Sequence, residues 1–207
     1  MEELFRKPTE NKSERIIGMN QIDFFFQRPN DFNEKQQAYS ILFLLRRDIL
    51  TSFGINPNDN SKIEFQVLFP GTMAIMAGID LLSKFYFTDN DTKGNKSGDR
   101  FKGYVAKYID SQNQEILYQL RNSLLHSFGL YSKDRNGKVY NFILDRGNNL
   151  IVKKLDDTNY VISVILLLNS FESSIQKYKK DILAEPNLME NFILMLPKYG
   201  GIGIKNN

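Results

Sequence analysis

Cysteine and tryptophan are absent from the 207 residues, and histidine occurs once, as His126. Without cysteine there is no disulfide, no thiolate nucleophile and no thiolate metal site. With one histidine, no site built from several imidazoles can form within a protomer, and no run of Asp and Glu has the spacing of a calcium loop. Charge of one sign is also scarce: 27 Lys+Arg stand against 24 Asp+Glu, a net +3. That surplus is too small for a nucleic-acid coat or a polybasic membrane anchor, although it allows a local basic patch. Long apolar runs are missing as well. The longest, residues 161–168, is interrupted by Ser163 and falls far short of the roughly 20 residues a membrane helix needs. Residues 1–12 mix acidic and basic side chains with no apolar stretch, unlike a secretory signal. These exclusions lead to the expectation of a soluble, cytoplasmic protein without a structural metal or cofactor.

What is present suffices for one domain: 42% of residues are hydrophobic, enough for a sizeable core. Residues 1–33 read as an N-terminal arm pinned by Ile22 and Phe24-Phe25-Phe26 and closed by Pro29-Asn30. Residues 34–196 read as a helical domain. Ala38, Ile41, Leu42, Leu45 and Ile49 recur at helical spacing and predict a helix over 34–50. A loop follows at 56–60. A strongly apolar helix over 73–87 comes next, preceded by Pro70-Gly71-Thr72, with Ala74, Ala77 and Gly78 small enough for close helix approach. Residues 88–98 read as an exposed loop, 100–108 as a third helix, and 112–128 as a fourth, with Gly129 as its stop.

The period then changes. Asn136-Gly137 between apolar-bearing runs signals a type I′ hairpin, and 130–155 reads as a three-stranded antiparallel insert projecting from the helices. Asp156-Asp157-Thr158 offers N-cap oxygens to a long helix over 159–183. A short helix over 188–196 ends before Pro197, and 197–207 reads as a tail. Gly200-Gly201-Ile202-Gly203 follows no expected strand and opens no helix, so a dinucleotide-binding reading fails.

The residues able to carry chemistry lie on the fourth helix, where Arg121 and Asn122 precede His126. Imidazole can exchange a proton near neutral pH, and guanidinium can clamp a phosphate through its planar fork. At about 100° per residue, Asn122 and His126 share a face about 40° wide, whereas Arg121 and His126 diverge by about 140°. Three geometries reconcile the pair: a distorted helix end, an arginine that reaches round, or an arginine and a histidine contributed by different protomers. We favour the last.

The sequence Ile116-Leu117-Tyr118-Gln119-Leu120-Arg121-Asn122-Ser123-Leu124-Leu125-His126-Ser127-Phe128 resembles the signature of HEPN domains. In that superfamily an arginine, usually followed by a polar residue, precedes a histidine by four to six intervening residues on a core helix. The resemblance implies a mainly α, HEPN-like four-to-five-helix bundle, here with a small antiparallel β insert that the minimal bundle lacks. It implies a homodimer whose motifs meet across the two-fold axis. It also implies a metal-independent endoribonuclease of toxin, defence or stress-response systems, cutting single-stranded RNA, with Arg121, His126 and Asn122 as catalytic residues and an antitoxin or other protein as partner. Other members are non-catalytic modules that bind a protein, RNA or nucleotide.

Structural roles compete with these. Leu117, Leu120, Leu124 and Phe128 form the expected buried stripe, with Arg121 at its edge, where Asp80 can pair with it. His126 near a helix C-terminus is also where a cation is stabilised by the dipole. An exposed Arg121, Asn122 and His126 on one groove point to an enzyme; a buried Arg121 on Asp80 with His126 packed apart points to structure. Elsewhere, Asp80 and Lys84 read as a helical ion pair, and Arg46-Arg47-Asp48 as a solvated face. Lys153-Lys154, Lys177 and Lys179-Lys180 form an RNA-tracking patch only if they converge.

Overall fold

The computed structural model describes residues 21–31, 38–88 and 97–203. In chain order these form β1 (Ala38–Ser40), α1 (Ile41–Ser52), α2 (Leu68–Phe87), α3 (Ser97–Tyr108), α4 (Gln114–Ser127), β2 (Tyr131–Lys133), β3 (Val139–Asp145), β4 (Val152–Lys154), β5 (Asn159–Ser163), α5 (Val164–Ala184), α6 (Pro186–Tyr199) and β6 (Gly201–Gly203). Residues 21–25 are also helical. The protein is thus mainly α with a small sheet.

The sequence of α2 is apolar almost all round because the helix is surrounded: it contacts α1, α3, α4, α5 and α6. By length and composition it is the one helix among the described residues that could span a bilayer, although Asp80 and Lys84 interrupt its apolar run. Here its apolar faces pack on its neighbours, and Ile75, Met76, Ile79, Leu82 and Phe85 are fully buried. Gly78 is where the small-residue expectation is met, since a Cβ there would stand 2.5 Å from the ring of Phe171 on α5. Pro70 falls in the first turn of α2, where the backbone N–H groups have no intrahelical partner to lose.

The expected helix over 34–50 starts instead at Ile41. Residues 34–37 lie outside the described residues, and 38–40 form a strand paired with 201–203. Ser40 decides the boundary: its hydroxyl oxygen accepts from the Phe43 N–H at 2.9 Å as an N-cap. The same hydroxyl donates to the Phe25 carbonyl at 2.8 Å. Phe25 and Phe26 are buried, so the described part of the N-terminal stretch is tied into the core.

The insert differs most from expectation. It is a four-stranded sheet of order β2-β3-β5-β4 in which β3 and β5 are parallel. The Asp134 carboxylate accepts the N–H groups of Asn136 and Lys138, each at 2.9 Å. Positive φ is confined to Gly137 (+86°), so the turn is not type I′, which requires two such residues. Residues 159–163 are strand rather than helix because Tyr160 and Ile162 alternate inward, and the long helix is capped by Ser163, not by Asp156-Asp157-Thr158. Tyr140, Phe142, Val152, Tyr160 and Ile162 belong to the same apolar cluster as the helices. The sheet is therefore part of the core and does not project from it.

At the C-terminal side, α6 runs through Pro197 to Tyr199. The expected tail then forms β6, antiparallel to β1.

Candidate functional site

Leu117, Leu120 and Leu124 are fully buried and fix the rotation of α4 about its axis. Arg121 is carried in beside them and is 8% exposed. Its side chain joins two helices: Nη2 donates to Oδ1 of Asp80 on α2 at 3.2 Å, while Nη1 donates to Oδ1 of Asn122 at 3.1 Å. Nη1 also lies 2.8 Å from Nε2 of His126, whose residue is exposed. The structure thus brings the three sequence-predicted residues, Arg121, Asn122 and His126, into one cluster and adds Asp80 to it.

The 140° divergence of the ideal helix is spanned by the arginine side chain, which reaches round the helix end. The premise that favoured a site divided between protomers is therefore lost for this pair. A guanidinium has five N–H donors and no acceptor. Its contact with His126 accordingly requires an unprotonated Nε2 and puts the ring proton on Nδ1. Nε of Arg121 is buried with no hydrogen-bond partner among the described residues.

The end of α4 departs from expectation. Phe128, placed in the buried stripe by its spacing, is 74% exposed. It terminates the helix in the left-handed conformation, with φ 48° and ψ 41°, a role the sequence suggested for Gly129. The N–H groups of both Phe128 and Gly129 point back to the carbonyl of Ser123.

N-terminal to the cluster, Tyr118 precedes Asn122 by one turn on the same face of α4. It lines a cleft of about 600 Å³ together with Gly98, Lys102, Glu115, Gln119 and Arg135. Lys102 is engaged there by Glu115 at 3.1 Å and lies over the Tyr118 ring at 5.5 Å from its centroid.

Other candidates sort differently from expectation. Arg46 is buried, not solvated, and its guanidinium grips Glu172 by two bonds of 3.1 and 2.6 Å. Asp80 holds Arg121 and not Lys84, whose ammonium lies 4.9 Å from the centre of the Tyr199 ring. Of the lysines considered as a patch, Lys154 is paired with Asp157 and Lys179 with Asp23.

Compared with known proteins, the chain matches no family model, no curated protein and no solved structure.

Proposed function

We propose that this protein is a HEPN-like, metal-independent endoribonuclease whose centre is Arg121, Asn122 and His126. One observation carries the reading: the chain's single histidine is exposed and hydrogen-bonded through Nε2 to an arginine whose other terminal nitrogen is held by the half-buried carboxylate of Asp80. Asp80 and Asn122 hold the arginine in place before any substrate arrives.

In this reading a phosphate of single-stranded RNA replaces His126 as the acceptor of the Arg121 Nη1–H and is held also by Asn122. Nε2, freed and unprotonated, takes the proton of the adjacent 2′-hydroxyl. The 2′-oxygen bonds to phosphorus and the bond to the 5′-oxygen breaks, leaving a 2′,3′-cyclic phosphate. The charge that grows on the phosphoryl oxygens is stabilised by the guanidinium. Protonating the leaving 5′-oxygen is assigned to the histidine of a second protomer in a homodimer, released from its own arginine and carrying a proton on Nε2; it gives up that proton as the first histidine gains one, so the two exchange roles.

The second reading, a non-catalytic HEPN-type module binding a protein, RNA or nucleotide, draws on the same site. Arg121 is buried and its charge is already met by Asp80, as in a structural arginine.

Digestion of varied single-stranded RNAs in excess EDTA by wild type, Arg121→Ala and His126→Ala tests the choice. The enzyme reading expects cyclic-phosphate ends, intact DNA, and a loss of about 10² or more in rate for His126→Ala. An inactive wild type that still binds RNA, a nucleotide or a protein selects the module; equal cleavage by all three proteins assigns the activity to a contaminant or another site.

A further inference from the structure

Phe128 combines three properties that packing does not explain. It sits two residues beyond His126. It has φ 48°, in a region that bulky L-residues rarely adopt. Its ring is 74% exposed, the highest exposure among the large hydrophobic side chains described. Among the described residues, the other two non-glycine residues with positive φ are Asn60 and Thr88, and Thr88 is buried. Asparagine tolerates this region through its short polar side chain. Phe128 has no such excuse, and Gly129, which adopts the left-handed region freely, lies one position too late to take the cap.

A glycine at 128 would end the helix with less strain. The side chain present instead holds an apolar ring in water two residues beyond His126, and backbone strain of this kind clusters at functional positions. The next exposed aromatic, Tyr131, follows at the start of β2 and is 53% exposed.

We infer that the Phe128 ring is a stacking platform for the nucleobase beside the phosphate held by Arg121, making the site selective for unpaired nucleotides. The inference rests on the ribonucleic-acid reading of that phosphate site. Every base presents a π-face, so stacking on an aromatic ring favours single-stranded over paired RNA without selecting a sequence. A base inside a duplex is already stacked and cannot lie on the ring.

The test measures binding of a short single-stranded 2′-O-methyl RNA, which the proposed chemistry cannot cleave, to the full chain as wild type, Phe128→Gly, Phe128→Tyr and Arg121→Ala. Each is compared with the same oligonucleotide lacking its bases at the central positions. Stacking predicts that Phe128→Gly weakens binding by about five- to a hundred-fold, that Phe128→Tyr retains it, and that the abasic oligonucleotide binds wild type and Phe128→Gly alike. Phe128→Gly should at the same time raise Tm by about 2–4 °C as the strain is relieved. Full affinity in Phe128→Gly alongside weakened Arg121→Ala would overturn the platform and leave the phosphate site standing. No binding by wild type would remove the ribonucleic-acid reading itself, and the platform with it. A drop in oligomeric mass for Phe128→Gly would assign the ring to a protein interface and overturn the inference.

Discussion

Nη2 of Arg121 and Oδ1 of Asp80 meet at 3.2 Å across the α2–α4 contact, from side chains that are 10% and 18% exposed. A charge so enclosed is costly when its partner is removed. Asp80→Ala should therefore lower stability by about 3 kcal/mol, and Asp80→Asn, which keeps an acceptor, by less. The double variant Asp80→Ala/Arg121→Ala should lose less than the sum of the single losses, with a coupling of about 1–3 kcal/mol in urea unfolding. Strict additivity would mean that the two side chains do not act as a pair.

The Arg121–His126 contact lies within one chain, which gives a sharp expectation for mixed subunits. Mixing Arg121→Ala protein with His126→Ala protein leaves no chain with both groups. RNA cleavage should stay at the level of the separate variants after subunit exchange is verified by mass. Recovery on mixing would place the working arginine and histidine on different protomers.

Alkaline pH should destabilise the fold through its tyrosines. Burial, with the nearby Asp134 carboxylate adding to it, pushes Tyr140 up to about 12. Burial likewise raises Tyr104, Tyr108 and Tyr178, with charge at Asp181 adding to the first two. In the unfolded chain all four ionise near pH 10. Above that pH the unfolded state binds fewer protons than the folded one, so stability falls as pH rises. Urea midpoints should decline from pH 9 to 11, while native-state absorbance of phenolate shows these four of the ten tyrosines still silent at pH 11.

Gly78→Ala tests packing alone. Alanine is the better helix former by about 1 kcal/mol, yet its methyl would meet the fully buried Phe171 ring at 2.5 Å. The clash should win, for a net loss of about 1–3 kcal/mol in urea unfolding. A stabilised variant would show that α2 and α5 can separate at no cost.

The helices were legible because their apolar spacing is long: α2 through α4 and the bulk of α5 were each foreshadowed over most of their length. The short strands were not. Tyr160-Val161-Ile162 continues into Val164-Ile165 without an internal stop, so apolar spacing could not separate β5 from α5, and the choice fell to the Ser163 cap. β1 and β6 are three residues each and stabilise one another across the chain, leaving no local period to read. At the site, residue types and spacing identified Arg121, Asn122, His126 and the Asp80 partner. A helical wheel places Cβ atoms and not side-chain ends, so it could not anticipate that a long arginine closes the gap to His126. It also placed Phe128 inward by assuming that the helix continues, which fails at the residue that ends it.

The β1–β6 ribbon has a mechanical consequence. Ala38 is paired with Gly203, and Ser40 with Gly201, so the chain enters and leaves the ribbon at the same end. Tension applied between the two flanking segments loads the first pair alone and then the next, as a zip is drawn, whereas a shear geometry would load all the pairs together. The ribbon should thus yield at low force before load reaches α1 or α6, separating the strand that leads into the Ser40 cap from the one that follows Tyr199.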